Sequence, residues 1–211
     1  MRRSYIVTVE LCECAMNINY NYRCIIASHY SWLYNGSGKR AIMRHANLNG
    51  ADLSGDDLRH ADMSGADLRW ANLSRANMSR ANLRHADMSM ANLSGANLRH
   101  ADMSGADLRG AVGLPTAPVI PNIDSAILAR IDAGGGLAMS RWHSCDTTHC
   151  RGGWAIHLAG KVGAALEDTL GTGVAAALIY AASRPTQRVP DFFARDKTAL
   201  ADMREYADGD Q

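Results

Sequence analysis

Between Trp142 and Trp154 the chain reads WHSCDTTHCRGGW, which places four soft ligands or nucleophiles close together: His143, Cys145, His149 and Cys150. Four Cys and His ligands make a tetrahedral zinc site when they come as spaced pairs. Here His149 and Cys150 are adjacent, which does not match the usual gap within a ligand pair. A Cys145 thiolate with His149 as its base is a second chemistry for such a cluster. A packed, hydrogen-bonded turn is the third, and it is the expectation taken here: no metal, no cofactor and no catalytic residue. Elsewhere there is no phosphate-binding loop, dinucleotide glycine fingerprint or paired-carboxylate motif. The run Gly134, Gly135, Gly136 follows an expected helix and not a strand, so it is not a phosphate cradle. The chain therefore reads as a non-enzyme. A small metal-binding or enzymatic module in residues 122–211 is the alternative.

The cluster belongs to a segment whose signals are helical. Asn122 or Asp124 can cap a helix that runs to Asp132 and stops at the glycines. Further helices are expected over 153–159, 163–170, 174–183 and 196–207, the last with Leu200, Met203 and Tyr206 on one face. Pro115, Pro118 and Pro121 make residues 112–121 an extended connector, because proline suits neither a helix interior nor a ladder.

Upstream of the connector the chain changes character. From Ala41 to Gly110 fourteen five-residue units follow without insertion, among them ADLRW, ANLSR, ANMSR, ANLRH and ADMSM. Leu or Met is central, Ala stands two residues earlier, and Asp or Asn usually lies between them. A period of five matches neither the 3.6 of a helix nor the 2 of a strand. A coil with one corner per unit reconciles it, with Leu, Met and Ala inside and the other three side chains outside. Met fills space here and is not a metal ligand.

The unit A-(D/N)-L-x-x resembles that of pentapeptide-repeat proteins. The resemblance implies a mainly β solenoid, a right-handed quadrilateral β-helix over residues 41–111 with four units per turn. Residues twenty apart would then stack at the strand spacing, giving a rod about 17 Å long. The expected organisation adds an N-terminal β-hairpin cap in residues 1–40 and an α-helical domain in residues 122–211. The hairpin rests on residues 4–11 and 20–26, rich in β-branched and aromatic side chains, with a short helix at 29–34. Cys12, Cys14 and Cys24 are expected there as buried thiols. Asp56, at an Ala position, is expected to point inward near the open first turn, satisfied by water or a backbone N–H.

Partners are read from the outward columns. Asp67, Asp87 and Asp107 stack in one column, Trp70 stands over Met90 in another, and these five are the expected partner-binding residues. A further column carries His60, Arg80 and His100. The resemblance implies inhibition of a nucleic-acid-handling complex: an anti-CRISPR protein of phage origin that blocks DNA binding by a CRISPR effector complex through local surface mimicry. A DNA gyrase-binding protein is the alternative. Formal charge is +1, and the repeat balances eight Arg against eight Asp, so a whole-rod imitation of DNA is not expected. No direct nucleic-acid or membrane contact is expected, and a homodimer is allowed. Five cysteines and the absence of a leader-like segment point to the cytoplasm of a bacterial host.

Overall fold

The computed structural model describes residues 18–138, 143–145 and 148–209. Residues 41–112 wind as a four-sided coil, one side per five-residue unit. Parallel bridges join Ile42 to Asp62, Asn47 to Asp67, Asp52 to Asn72 and Asp57 to Asn77, and the same twenty-residue step continues to Val112. Three ladder bonds per unit link adjacent turns, as when Leu68 N–H donates to the Asp87 carbonyl (2.7 Å), Trp70 N–H to Ser89 (3.1 Å) and Asp87 N–H back to Ala66 (2.9 Å). At each corner the Ala N–H returns to the preceding Leu or Met carbonyl, as from Ala71 to Leu68 (3.1 Å).

The residue just before that Ala has φ between 53° and 70° in all fourteen units, as the third position of a type II turn requires. Eight of these positions carry His, Arg, Trp or Met in place of Gly. Along one corner the two alternate for a steric reason. A Cβ on Gly65 would overlap the His45 ring, and one on Gly105 the His85 ring.

Inside the coil the central Leu and Met side chains are at most 5% exposed, and most of the Ala side chains beside them are fully buried. Larger groups at the Ala positions would overpack so narrow a lumen. This core runs without a break into both ends of the molecule: Ile26 on one side and Ile179, Tyr180 and Phe192 on the other belong to the same cluster.

The N-terminal end is closed by a helix, α1 (Ile18–Asn35), and not by a hairpin. The strand expected over 20–26 is therefore corrected, the helix expected at 29–34 is the end of α1, and the strand expected at 4–11 lies outside the described residues. Tyr22, Ile25, Ile26 and His29 recur at helical spacing, and this face lies against the first turn of the coil. Aromatic and β-branched residues cost a helix only a few tenths of a kcal/mol each, which docking of such a face outweighs. Gly36 (φ 70°) ends α1 in the left-handed conformation. Cys24 is disulfide-bonded, which corrects the expectation of a free thiol there.

Polar groups fix the helix to the coil. The Ala41 N–H donates to His29 Nδ1 (3.0 Å), and the Tyr34 hydroxyl to Asp57 (2.7 Å). Arg23 pairs with Asp56 (2.9 Å) and donates to the Asp52 carbonyl. Asp56 is thus held by a guanidinium, while burial raises its pKa.

The other end carries α2 (Ile123–Asp132), α3 (Arg151–Leu158), α4 (Gly160–Leu170), α5 (Thr172–Ser183) and α6 (Asp196–Gly209). Three short strands, β1 (Gly136–Leu137), β2 (His143–Cys145) and β3 (Thr148–His149), form a sheet of order β1-β3-β2 between α2 and α3. Helix α5 is buried from Val174 to Tyr180, with α3 and α4 against it. At its centre Arg151, 1% exposed, pairs with Asp124 (2.6 Å) and Asp202 and donates to the Tyr180 hydroxyl (3.0 Å).

This domain also pairs the coil's last open edge. His100 N–H donates to the Leu170 carbonyl (2.6 Å), Gly105 N–H to Pro190 (3.0 Å), and Val189 N–H to Ala106 (2.9 Å). Backbone groups left bare at such an edge would recruit another strand.

Candidate interaction surface

Trp70 and Met90 occupy the same corner of consecutive turns, twenty residues apart. They are 62% and 45% exposed, while most of the rod's outer surface is Asp, Asn, Ser and Arg. The turn geometry drives them outward: at the third turn position the backbone is left-handed and the side chain leaves the coil. Val112, 55% exposed, ends the column on the next side after Asn92. Exposed aromatic and Met side chains are enriched at protein interfaces.

The acidic column differs from the sequence expectation. Asp67, Asp87 and Asp107 do stack, since Asp67 bridges Asp87 and Asp87 bridges Asp107. Each, however, is turned towards an arginine. Asp67 meets Arg69 (2.6 Å), and Asp107 meets Arg109 (2.5 Å). Arg188, from the C-terminal domain, reaches both Asp107 (3.2 Å) and Asp87 (3.6 Å). Asp107 is 0% exposed, so the expectation that it faces solvent is corrected.

The pKa directions agree with that pairing. Hydrogen bonds from Arg69 hold the Asp67 carboxyl below the usual range. At Asp107 burial opposes ionisation, but the Arg109 guanidinium and backbone N–H outweigh it and the pKa is lowered. A column neutralised in place is not a free row of phosphate-like charges. Nothing in the sequence ties Arg188 to the column, because it lies outside the repeat and shares no period with it.

The Cys/His cluster divides. Cys150 caps α3, its Sγ accepting the Gly153 N–H at 3.2 Å, and burial pushes the thiol's pKa up. A thiol kept protonated is a weak nucleophile. The side chains of His143, Cys145 and His149 lie outside the described residues, and the metal and catalytic readings of those three fall there with them.

A cleft of about 260 Å3 opens where the C-terminal domain meets the coil, lined among others by His85, Arg151, Arg184, Arg188, Asp191 and Asp202. Its charges are largely paired internally: Arg184 with Asp124 (2.8 Å), Arg188 with the acidic column, and Arg84 at the edge with Asp191 (3.6 Å). No helix among the described residues is long and apolar enough to cross a membrane.

Known proteins match the coil. The family of pentapeptide repeats matches residues 39–75 and 76–112, about a third of the chain. That family implies a right-handed quadrilateral β-helix, in agreement with the four-sided coil. Among solved structures, alr5209, a pentapeptide repeat protein from Nostoc PCC 7120, is 38% identical over 34% of this chain and 64% of its own, with a TM-score of 0.22. HetL, a pentapeptide repeat protein involved in heterocyst differentiation regulation in Nostoc sp. strain PCC 7120, is 42% identical over 36% and 37%, with a TM-score of 0.20. Rfr23 from Cyanothece 51142 is 36% identical over 34% and 52%, with a TM-score of 0.20. The chain thus spans less than two thirds of each of these structures. No curated protein matches it.

Proposed function

We propose that this chain, whose residues 39–112 are pentapeptide repeats, is a non-enzymatic protein-binding inhibitor that docks by the Trp70/Met90 corner on a complex that handles nucleic acid. The observation that carries the reading is the exposure of Trp70 and Met90, 62% and 45%, on a coil whose backbone is hydrogen-bonded turn to turn. A rigid display surface loses little conformational freedom on binding, so a small apolar anchor counts for more. The family resemblance supports a CRISPR effector complex as the first target and DNA gyrase as the second, in the cytoplasm of a bacterial host. Inhibition works by occupying the target's surface. The paired state of Asp67, Asp87 and Asp107 argues against a bare phosphate mimic and leaves Asp67 and Asp87 as a polar rim beside the anchor.

The test uses the full chain in two assays side by side, DNA binding by a CRISPR effector and supercoiling by gyrase. Wild-type protein is expected to block the first, and the Trp70→Ala/Met90→Ala variant to do so about thirtyfold more weakly, as loss of a hot spot predicts. Equal inhibition by the two proteins overturns the docking corner. Inhibition of gyrase alone moves the target to the second class.

A further inference from the structure

Charge is segregated around the coil. Of its eight arginines, Arg44, Arg59, Arg69, Arg84 and Arg109 each pair with a carboxylate. The other three, Arg75, Arg80 and Arg99, are exposed and make no ion pair among the described residues. All three stand on the two sides that follow the Trp70/Met90 corner, those centred on Leu73 and Met78. Arg75 and Arg80 sit at successive corners of one turn, and Arg99 lies on the next turn, its carbonyl accepting the Arg80 N–H (2.9 Å).

The same sides lack acid where the other two have it. No carboxylate occurs between Asp67 and Asp87 or between Asp87 and Asp102. The columns there read Asn72 over Asn92 and Asn77 over Asn97. In the first turn Asp52 accepts from Asn72 (3.2 Å), and Asp57 is held by Arg59 (2.8 Å) and Tyr34 (2.7 Å). The result is a hydrogen-bond-donating surface with free guanidinium groups, bordered on one edge by exposed Trp70, Met90 and Val112. Arg, Trp and Met together, with Glu and Lys missing and no Asp beyond the first turn, is the composition of a protein interface.

We infer that these two sides, with the Trp70/Met90 corner as their edge, dock an acidic protein segment that carries an apolar residue. This rests on the proposed protein-binding function and gives the partner's contacting surface a sign. Three observations select the occupant. A second copy would bring the same unpaired arginines face to face across a two-fold axis. A long polyanion such as duplex DNA laid across the Trp70 corner would run onto the Asp67 and Asp87 flank, whose arginines are already paired and offer its phosphates no free cation. Its phosphate backbone would also leave Trp70 and Met90 without an apolar partner. An acidic segment with one apolar side chain meets neither obstacle.

The test is fluorescence anisotropy on the full chain with a labelled polyglutamate peptide bearing one central phenylalanine, its alanine counterpart and a DNA duplex, at low and moderate salt. The phenylalanine peptide is expected to bind tightest, to weaken about tenfold or more when salt is raised, and to be lost in Arg75→Glu/Arg80→Glu/Arg99→Glu. Trp70→Ala should abolish the preference for phenylalanine over alanine while leaving the salt dependence. Circular dichroism identical to wild type checks that the exposed substitutions leave the fold intact. Equal binding by the triple-Glu variant, no binding of the acidic peptide at low salt, or tighter binding of DNA with no effect of Trp70→Ala each overturn the inference. Effector inhibition that depends on Trp70 but survives the triple-Glu change overturns this surface alone and leaves the proposed function standing.

Discussion

The coil and the helical domain beyond it solve the burial of polar groups in opposite ways. In the coil every unit repeats the same three ladder bonds and one corner bond, and the stabilisation is spread over many equivalent sites. In the helical domain one guanidinium, Arg151, gathers Asp124, Asp202 and Tyr180 around itself, and Arg184 joins through Asp124. A repeated solution tolerates local variation, as the eight non-glycine residues in left-handed turn positions show. A centred one stakes the domain on a few side chains. The coil is therefore free to vary what it displays, and the helical domain is constrained to one arrangement.

That contrast can be broken at four points, from the largest expected effect downward. Leu73→Asp places an unpaired carboxylate in a lumen where Leu73 is 0% exposed, and should unfold the coil, at a cost of at least about 4 kcal/mol. Far-UV circular dichroism and urea denaturation would register it, and a native-like spectrum with an unchanged midpoint would contradict the assigned core. Arg151→Ala leaves Asp124 to Arg184 alone and takes from Asp202 its guanidinium, and should cost about 3 kcal/mol, read as early melting of the helical domain while the coil persists. If one cooperative transition simply moves down, the two regions are more tightly coupled than their different chemistry suggests.

The third point lies where α1 meets the coil. Burial lowers the pKa of His29 below its ordinary 6.5, and its Nδ1 accepts the Ala41 N–H, so the docked ring is neutral. Protons then bind the unfolded state more readily. The contribution of His29 is complete above 6.5 and is lost as pH falls from there through the lowered folded value. Between pH 7.5 and pH 5 the urea midpoint should fall, and His29→Gln should flatten the slope in that window. A slope identical in both proteins would refute the neutral cap.

The smallest change tests the corners. Gly65→Ala forces a Cβ onto the His45 ring in a left-handed turn, whereas Gly55→Ala meets open space at the same backbone angle. The first should cost about 1–2 kcal/mol and the second less, and equal losses would mean that only the backbone angle matters.

The same contrast decides what could be read from the sequence. The coil was legible because each unit restates the rule: Leu68, Leu73, Met78 and Leu83 each sit where period five puts them. The helices at the other end were legible as elements, through Gly134, Gly171 and Pro185 at their boundaries, although Asn122 precedes α2 in a left-handed conformation with no side-chain cap bond. Their connections were not, because the network around Arg151 joins residues 27, 29 and 51 positions away with no periodic signal. Helix α1 was misread because Tyr, Ile and Cys favour strands locally, and what decides it is the first turn of the coil presented to Ile26 and His29. Of the candidate site, Trp70 and Met90 were visible as breaks in a polar pattern. The neutralised state of Asp87 and Asp107 was not, since Arg188 comes from the helical domain.

If the molecule engages a protein through the Trp70/Met90 corner of its coil, removing that corner should release the partner. Quantitative co-purification from a bacterial host, with tagged wild-type chain beside the Trp70→Ala/Met90→Ala variant, tests it most directly. A defined set of proteins is expected to be retained by the wild type and lost with the variant, while both chains show the same far-UV circular dichroism. Recovery of the same proteins at the same yield by both would contradict it and move the contact to the helical domain.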